Sequence, residues 1–283
     1  NNRDDSVFST TLIKGDNLII EYNEPPNSEK AVIELSTVVY GFKDMFGILS
    51  GYGQSGSCNV NINCPDGANW QKEKRAVVMV MTAKNTALCS GTLLNNTRYD
   101  AKPYLLTANH CMDGQDPETW IFIFNYESTD CTNRDGSLKQ TIQGAFKRSN
   151  FYASDFALLE LSSVPPVSYN AYYAGWDNTT NSKDTCFIIH HPMGDIKKIS
   201  FTKDKLGSSD FSSYIPNSHW EVKKWVFGTT EVGSSGGALF DANHKVIGQL
   251  HGGYADCNTY EKDYFGKLSF SWNYDKDAKN SLK

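Results

Sequence analysis

The 283-residue chain lacks several features that would point to other classes of protein. It has no run of about 18 apolar residues, the length that a membrane-spanning helix requires. Lysine and arginine together number 27 against 32 acidic residues, and they form no basic stripe of the kind that binds nucleic acid. The sequence therefore predicts neither a membrane nor a nucleic acid as a partner.

The seven cysteines include no CxxC pair of the kind that holds zinc or a redox-active disulfide. Disulfide bonds are the better interpretation, and they predict a secreted or extracellular, cell-surface location because cytosolic thiols stay reduced. The alternative is a set of buried free thiols in a cytosolic enzyme. The chain begins with neither Met nor a signal peptide, so we expect a processed form or a fragment.

Patterns of long amphipathic helices are also nearly absent. From Arg75 onward, short apolar runs rich in β-branched and aromatic residues alternate with Gly, Asn, Asp and Pro clusters, which is typical of all-β sandwiches and barrels. Residues 18–22 and 32–42, separated by turn-forming residues, predict a β-hairpin. A Gly- and Ser-rich stretch follows. We therefore predict an N-terminal β segment over 1–52, either a propeptide remnant or accessory strands, and one main domain over 53–283.

Two short sequences place candidate catalytic side chains next to apolar strands. In LTANHC, residues 106–111, an apolar strand ends at His110, and a disulfide involving Cys111 would clamp this loop. In SDFALLEL, residues 154–161, Asp155 directly precedes a strand, where a buried carboxylate can orient a histidine. Read in isolation, a histidine next to a cysteine more often has a structural or metal-binding role, and an aspartate before a strand is more commonly a plain turn residue.

The segment GTTEVGSSGGALF, residues 228–240, is the most informative. Its glycines allow a tight path that directs the N–H groups of Gly233 and Ser235 at one point, as a developing oxyanion requires. GSSGG also matches the G-x-S-x-G elbow of α/β-hydrolases, but those enzymes place acid and histidine after the serine, and only about fifty residues follow here. The order His110, Asp155, Ser235 is that of double-barrel serine proteases.

Together these motifs resemble the trypsin-like serine endopeptidases, and among them the bacterial lysyl endopeptidases, the Achromobacter protease I group. The resemblance implies an all-β fold of two six-stranded antiparallel β-barrels with the active site between them. It implies His110 as general base, Asp155 as orienting acid, Ser235 as nucleophile, and Gly233 with Ser235 as oxyanion donors. The matching sequences span about residues 53 to 273 and are GSCNVNINCP, SGTLLNN, LTANHC, SDFALLEL, AGWD, IHHP, VGSSGG and GQLHGG.

The same resemblance implies three disulfide bonds and one unpaired cysteine, Cys186. Cys186 lies in a strand-like apolar run, which favours a buried and inert thiol. The implied pairs are Cys58–Cys257, Cys64–Cys131 and Cys89–Cys111.

Two positions depart from most trypsin relatives. Ser234 stands where an aspartate would receive a freed N-terminal amine, so we do not expect activation by that ion pair. Thr229 stands where trypsin carries its specificity aspartate. In the lysyl endopeptidases the pocket aspartate lies later in the chain, and Asp263 matches it. The alternative for Asp263 is a solvated loop carboxylate.

The remaining substrate-binding residues are predicted around GQLHGG. His251 matches the family's subsite histidine, and Phe211 is the nearest counterpart of its stacking tryptophan. Leu250, Gly252 and Gly253 predict an open strand edge for the substrate backbone. A narrow pocket favours the compact ammonium of Lys over the planar guanidinium of Arg.

The sequence thus predicts a secreted endopeptidase that cleaves after basic residues through an acyl-enzyme, with no metal or other cofactor. Polypeptide substrates are the expected partners, with a proteinaceous inhibitor or the chain's own propeptide as further candidates, and the protein is expected to be a monomer. Two alternatives come from other classes: a catalytically inactive binding module on the same fold, and a hydrolase of carboxylic esters.

Overall fold

The computed structural model describes residues 10, 11, 13, 17–35, 38, 53–82, 88–212, 215–259, 261–275 and 277–283. Within them the chain is built from fifteen β-strands and a few short helices. The strands are β1 (Val60–Asn61), β2 (Val77–Met81), β3 (Leu88–Leu94), β4 (Tyr104–Ala108), β5 (Ile121–Phe124), β6 (Thr141–Gln143), β7 (Ala145–Phe151), β8 (Phe156–Leu161), β9 (Cys186–His190), β10 (Lys198–Thr202), β11 (Gly207–Ser209), β12 (His219–Val222), β13 (Ala238–Asp241), β14 (Val246–Gly253) and β15 (Asp263–Lys267).

The helical elements of the described residues are short. One α-helix, α1 (Leu268–Asn273), follows β15 directly, and none of the described helices is long and apolar enough to cross a membrane. The 3₁₀ helices are Pro65–Trp70, Glu73–Ala76, Asn109–Met112, Pro117–Thr119, Val167–Tyr169, Pro192–Gly194 and Ala278–Asn280.

The strands form two antiparallel sheets. The first has the order β6-β5-β2-β3-β4-β8-β7, and the second has the order β1-β10-β9-β13-β14-β15-β12-β11. Each sheet contains six strands of four or more residues, and the shorter strands β6, β1 and β11 lie at sheet edges. The predicted all-β fold is confirmed: where two six-stranded antiparallel β-barrels were predicted, the described residues form two antiparallel sheets, one of them a half-barrel, with these edge strands in addition.

The main hydrophobic core joins the two sheets. In the first sheet, β2 reads VVMVM and every residue is buried, because this strand lies in the middle of its sheet. The largest apolar cluster includes Leu105 and Phe156 of the first sheet together with Ile189 and Phe240 of the second. This shared core holds the end of β4 and the start of β8 against the turn that precedes β13.

The N-terminal segment contains the turn expected between the two predicted hairpin strands. Pro26 and Asn27 form it, and the Ser28 N–H donates to the Pro25 carbonyl at 3.3 Å. Residues 17–35 include no paired strand and are exposed, because they bury no apolar face that would hold a two-stranded hairpin in water. Residues 36, 37 and 39–52, with most of the second predicted strand, lie outside the described residues.

The structure contains three disulfide bonds and a free Cys186. One bond, Cys89–Cys111, ties β3 to the 3₁₀ helix that carries His110. Cys186 is fully buried in β9, and burial raises the pKa of its thiol to about 12. The other two bonds are Cys58–Cys257 and Cys64–Cys131.

Candidate active site

His110 and Asp155 meet at the ends of two neighbouring strands. Strand β4 ends at Ala108 and passes into the 3₁₀ helix with His110, while Asp155 directly precedes β8, the partner of β4. Asp155 has φ of +53°, and this conformation lets its own carbonyl accept from the Asn109 N–H at 2.8 Å. The carboxylate accepts from the His110 backbone N–H at 2.8 Å and lies 2.7 Å from His110 Nδ1. The two side chains are therefore held by two separate hydrogen bonds.

The charge of Asp155 controls the protonation of His110. Asp155 is buried, while the His110 side chain is 36% exposed. Burial by itself lowers the pKa of His110, but the hydrogen bond and the negative charge of Asp155 outweigh it, so the pKa lies above its ordinary value. The imidazole can therefore gain a proton readily during a reaction.

The turn with Ser235 packs against the strands that lead to His110. The Ser235 carbonyl accepts from the Ser90 N–H of β3 at 2.8 Å. Gly236 has φ of +80°, and a Cβ there would lie 2.6 Å from the Ala108 nitrogen, so only glycine permits this approach. Ser235 itself is half-buried. Among the described contacts its hydroxyl is not yet hydrogen-bonded to His110, and such contacts often close only when substrate binds.

Two backbone donors in this turn have no hydrogen-bond acceptor among the described residues. Gly233 adopts φ of +93°, and a Cβ there would lie 2.7 Å from the His191 carbonyl oxygen. Within the described part of the chain, the N–H groups of Gly233 and Ser235 donate to no protein acceptor. The residue between them points the other way, since the Ser234 N–H donates to the Glu231 carbonyl at 2.9 Å.

Ser234 and His190 hold this turn in place through side-chain hydrogen bonds. The Ser234 hydroxyl accepts from the Glu231 N–H at 3.0 Å and lies 2.7 Å from His190 Nδ1. Burial lowers the pKa of His190 to about 3, so this ring is neutral at physiological pH. Ser234 thus has a structural role in shaping the turn.

Asp263 is a completely buried carboxylate with only neutral donors around it. It accepts from Trp225 Nε1 at 2.7 Å and from the Thr230 hydroxyl at 2.8 Å, and the Ala255 N–H lies at 3.4 Å. Burial raises the pKa of Asp263 to about 6, against the partial stabilisation that these donors give. The described residues place no basic side chain against it, so the negative charge of its ionised form is uncompensated. The solvated-loop alternative does not fit this burial.

Thr229, which stands where trypsin carries its specificity aspartate, and its neighbour Thr230 make different contacts. The Thr229 carbonyl accepts from the Ser200 hydroxyl at 2.8 Å, and its own hydroxyl lies 3.5 Å from the Thr230 carbonyl. The hydroxyl that contacts Asp263 belongs to Thr230. Thr229 therefore supports the pocket through its backbone.

Residues 250–253, predicted to form an open strand edge, differ in their backbone contacts. Leu250 uses both backbone groups to hold the Ser235 turn, with its N–H donating to the Gly237 carbonyl and its carbonyl accepting from the Gly236 N–H. Beyond Gln249, β14 has no further partner in β13, while Gly252 and Gly253 pair with β15 on the other side. The open edge is thus limited to residues 251–253. A Cβ at Gly253 would lie 2.1 Å from the buried Asp263 carboxylate, so only glycine permits this close approach.

His251 and Phe211 lie together beside the His110–Asp155 pair. His251 Nε2 is 3.8 Å from the Asp155 carboxylate, and its ring centroid is 5.8 Å from that of His110. Phe211 packs edge-on against His251 at 5.0 Å and stacks on Tyr264 at 4.2 Å with an interplanar angle of 5°. The structure brings both predicted residues next to the site.

Several residues at the site were not identified from the sequence. His219 lies 3.0 Å from His251 through Nε2 and Nδ1, and Trp225 and Thr230 donate to Asp263. His219 and Trp225 belong to no motif, and Thr230 lies in the 228–240 segment without any pattern that marks its contact with Asp263. Tyr264 was also not identified, although it follows Asp263 in β15. Alternation along a strand places the two side chains on opposite faces of the sheet, and this was the available signal.

His110, Asp155 and His251 offer three metal-type ligand atoms within 4.8 Å of one another. Their geometry favours hydrogen bonding over coordination. His110 Nδ1 is already engaged with Asp155 at 2.7 Å. The other such group, Cys89, His110 and Cys111, is committed to a disulfide.

Comparison with solved structures defines the class of fold. The chain is similar to an HtrA-type protease, AlgW with tripeptide, with a TM-score of 0.50 and 21% identity over 70% of this chain and 57% of that one. It is also similar to the Rv3671c protease from M. tuberculosis in its active form, with a TM-score of 0.50 and 14% identity over 84% of this chain and 89% of that one. The fold is the trypsin-like protease fold.

Sequence comparison then gives the family. The family model described as Lysyl endopeptidase, C-terminal domain, matches residues 52–266, and the chain belongs to this family. The lysyl endopeptidase of Pseudomonas aeruginosa is 29% identical over 288 aligned positions, which cover 93% of this chain and 61% of that protein. This chain therefore spans less than two thirds of the length of that relative. The resemblance inferred from the motifs is confirmed at the level of the family.

Proposed function

We propose that this protein is a secreted serine endopeptidase that hydrolyses peptide bonds after basic residues, with Lys preferred over Arg. The observation that carries the proposal is the hydrogen-bonded pair of His110 and Asp155 beside a turn in which the backbone N–H groups of Gly233 and Ser235 find no acceptor among the described residues. That combination supplies a base and an anion site around one hydroxyl, which are the parts that acyl transfer requires.

The base in this mechanism is Nε2 of His110. Because Nδ1 donates to the buried Asp155 carboxylate, the neutral ring carries its lone pair on Nε2. Nε2 accepts the proton of Ser235 as the hydroxyl oxygen attacks the scissile carbonyl, and the imidazolium is stabilised by Asp155. The same proton then passes to the leaving amine, and an acyl-enzyme remains. Water activated by His110 hydrolyses that ester in the second half of the reaction.

The Gly233 and Ser235 N–H groups stabilise the oxyanion of each tetrahedral intermediate. They cost no reorganisation in the transition state, because Ser234, His190 and the β3 contact already hold the turn in place. Loss of one donor from such a site typically reduces the rate by about 100- to 1000-fold.

Asp263 is proposed to set the preference for basic side chains. A buried carboxylate with no basic partner is unfavourable, and a Lys or Arg side chain from the substrate relieves that cost through a charge-assisted hydrogen bond. The substrate backbone would pair with residues 251–253 as an added strand. His251 and Phe211 narrow the approach, which favours Lys over Arg.

The remaining features of the proposal concern the whole protein. Three disulfide bonds favour a secreted or cell-surface location. We propose that residues 1–52 form a propeptide remnant or accessory segment, and that 53–283 form the protease domain. Polypeptides, including a proteinaceous inhibitor or the propeptide, are the proposed partners of a monomeric enzyme that needs no cofactor.

A cleavage-site profile on a denatured protein mixture tests the proposal. We expect cuts after Lys, fewer after Arg, and none with Ser235→Ala. Titration with a neutral phosphonylating reagent should modify one serine, Ser235, in the wild-type protein. A protein that neither reacts nor cleaves would be a binding module on this fold, and cleavage of esters without peptides would favour an ester hydrolase.

A further inference from the structure

A chain of hydrogen bonds runs from β12 toward the carboxylate of the proposed triad. The Ser218 hydroxyl lies 2.7 Å from His219 Nδ1, and His219 Nε2 lies 3.0 Å from His251 Nδ1. The other nitrogen of the His251 ring, Nε2, lies 3.8 Å from the Asp155 carboxylate. Ser218 and His219 are buried, and His251 is largely buried.

Both rings of this chain are neutral at physiological pH. Burial lowers the pKa of His219 to about 3, and the neighbouring His251 and Lys267 also disfavour its protonation. Burial also lowers the pKa of His251, although the Asp155 charge opposes that effect. A neutral imidazole has one N–H and one lone pair, so each hydrogen bond in the chain fixes the direction of the next.

Only two directions are available for the protons. If His219 Nδ1–H donates to Ser218, then His251 Nδ1–H donates to His219, and the lone pair of His251 Nε2 faces the Asp155 carboxylate. If Ser218 donates to His219 Nδ1, then His219 Nε2–H donates to His251 Nδ1, and an N–H faces the carboxylate. The first arrangement sets a lone pair against a negative charge, and the second sets a positive hydrogen there, so electrostatics selects the second.

We propose that His219 is a positioning residue that fixes the tautomer of His251, so that the His251 Nε2–H is directed at the Asp155 carboxylate. This inference rests on the proposed triad. His251 would then share the charge of Asp155 with His110 and limit how strongly that carboxylate raises the basicity of His110.

The other groups that face the two rings do not replace the hydrogen bond between His219 Nε2 and His251 Nδ1. Phe211 packs edge-on against both rings, at 6.0 Å from His219 and 5.0 Å from His251. Lys267 is directed at the Trp220 ring, 4.2 Å away, and at Ser208. The Asp155 carboxylate and the His110 ring also face His251, at 3.8 Å from Nε2 and 5.8 Å between ring centroids.

The first test is ¹⁵N NMR of the full chain labelled on its histidine rings, with the His251 signals assigned by their absence from His251→Gln. We expect the proton on Nε2 of His251 in the wild type. In His219→Leu, which has no donor, we expect a mixture of the two tautomers. In His219→Gln, whose amide N–H can replace the Nε2 donor, we expect the wild-type tautomer. A wild-type His251 that carries its proton on Nδ1 would overturn the inference.

The second test is the pH dependence of kcat/KM with a Lys substrate. In His219→Leu the acid limb should move to higher pH by about half a pH unit, because His110 then interacts with a carboxylate whose charge is not shared. KM should stay near the wild-type value, and His219→Gln should restore the wild-type limb. A merely structural role predicts lower activity at every pH with an unmoved limb, and that result would refute the proposal.

Ser218→Ala provides a milder variant in case the core substitutions reduce folding. It removes the hydroxyl donor to His219 Nδ1, and we expect a partial change of the His251 tautomer in the same direction. If the wild-type protein has no endopeptidase activity, the proposed function fails, while the NMR result still decides the tautomer.

Discussion

Asp263→Asn is the most informative substitution, because it should change stability and activity in opposite directions. It removes a charge while keeping an oxygen that can accept from Trp225 and Thr230. In the unliganded protein that charge is buried beside neutral donors only, and burial has raised its pKa from 3.8 to about 6. Compared with the unfolded chain, the folded protein binds a proton at Asp263 more tightly. Ionisation of Asp263 therefore lowers the free energy of unfolding.

The magnitude follows from the two pKa values. A carboxyl whose pKa is raised in the folded state costs nothing below the unfolded value of 3.8 and reaches its full cost above about 6. The difference corresponds to about 3 kcal/mol at pH 8. The amide introduced by the substitution would place its own N–H groups near the Ala255 N–H, which offsets part of the gain. We expect Asp263→Asn to raise the free energy of unfolding by about 2 to 3 kcal/mol at pH 8 and to leave it nearly unchanged at pH 3.5.

The same substitution, Asp263→Asn, should lower the activity. Loss of the carboxylate removes a desolvated charge pair with the substrate, so kcat/KM for Lys substrates should fall by roughly two to four orders of magnitude. Reaction of Ser235 with a small neutral phosphonylating reagent should stay nearly intact. Denaturant unfolding at the two pH values and steady-state kinetics provide the measurements.

Glu261→Gln is the matched control, since it removes one negative charge two residues away at an exposed position. It should change neither stability nor the preference for Lys. Near wild-type cleavage after Lys by Asp263→Asn would show that another residue is the pocket acid. A stability gain that is equal at both pH values would mean that the buried charge is not its source.

The remaining predictions concern the reaction and the disulfide bonds. Ser235→Ala and His110→Ala should each reduce turnover by about 10,000- to 1,000,000-fold without unfolding the protein, and the double variant should lose little more; near-normal hydrolysis by Ser235→Ala would exclude it as nucleophile. Because the base must be neutral and its pKa is raised, activity should be lost as the pH falls through a value at or above 6.5 and stay high in the alkaline range, whereas an optimum near pH 4 would indicate a carboxyl mechanism. Mild reduction should destabilise the protein by about 2 to 4 kcal/mol per bond broken, and peptide mapping should find Cys186 as the free thiol; a disulfide-linked Cys186 in place of the Cys89–Cys111 bond would contradict the pairing.

The fold and the main residues of the candidate site were predictable because they depend on local patterns. Short apolar runs between turn residues identify strands wherever tertiary structure places them. His110, Asp155 and Ser235 each lie at the end or start of such a run, where a side chain can be directed toward a cleft. Asp263 was found by resemblance, because no local pattern distinguishes a buried carboxylate from one in a solvated turn.

The residues that surround the site could not be predicted, because their roles depend on register between distant strands. His219 reaches His251 because β12 and β14 lie on either side of β15 and pair with it, and a shift of one residue would send either side chain to the opposite face. The register is fixed only by the assembled sheet. A histidine before a tryptophan in SHWEV therefore carries no signal of its own, although the same register makes it the only described side chain within hydrogen-bonding distance of His251 Nδ1. Sequence motifs thus identify the groups that would carry out the chemistry, while the side chains that set their protonation become visible only once strand pairing is known.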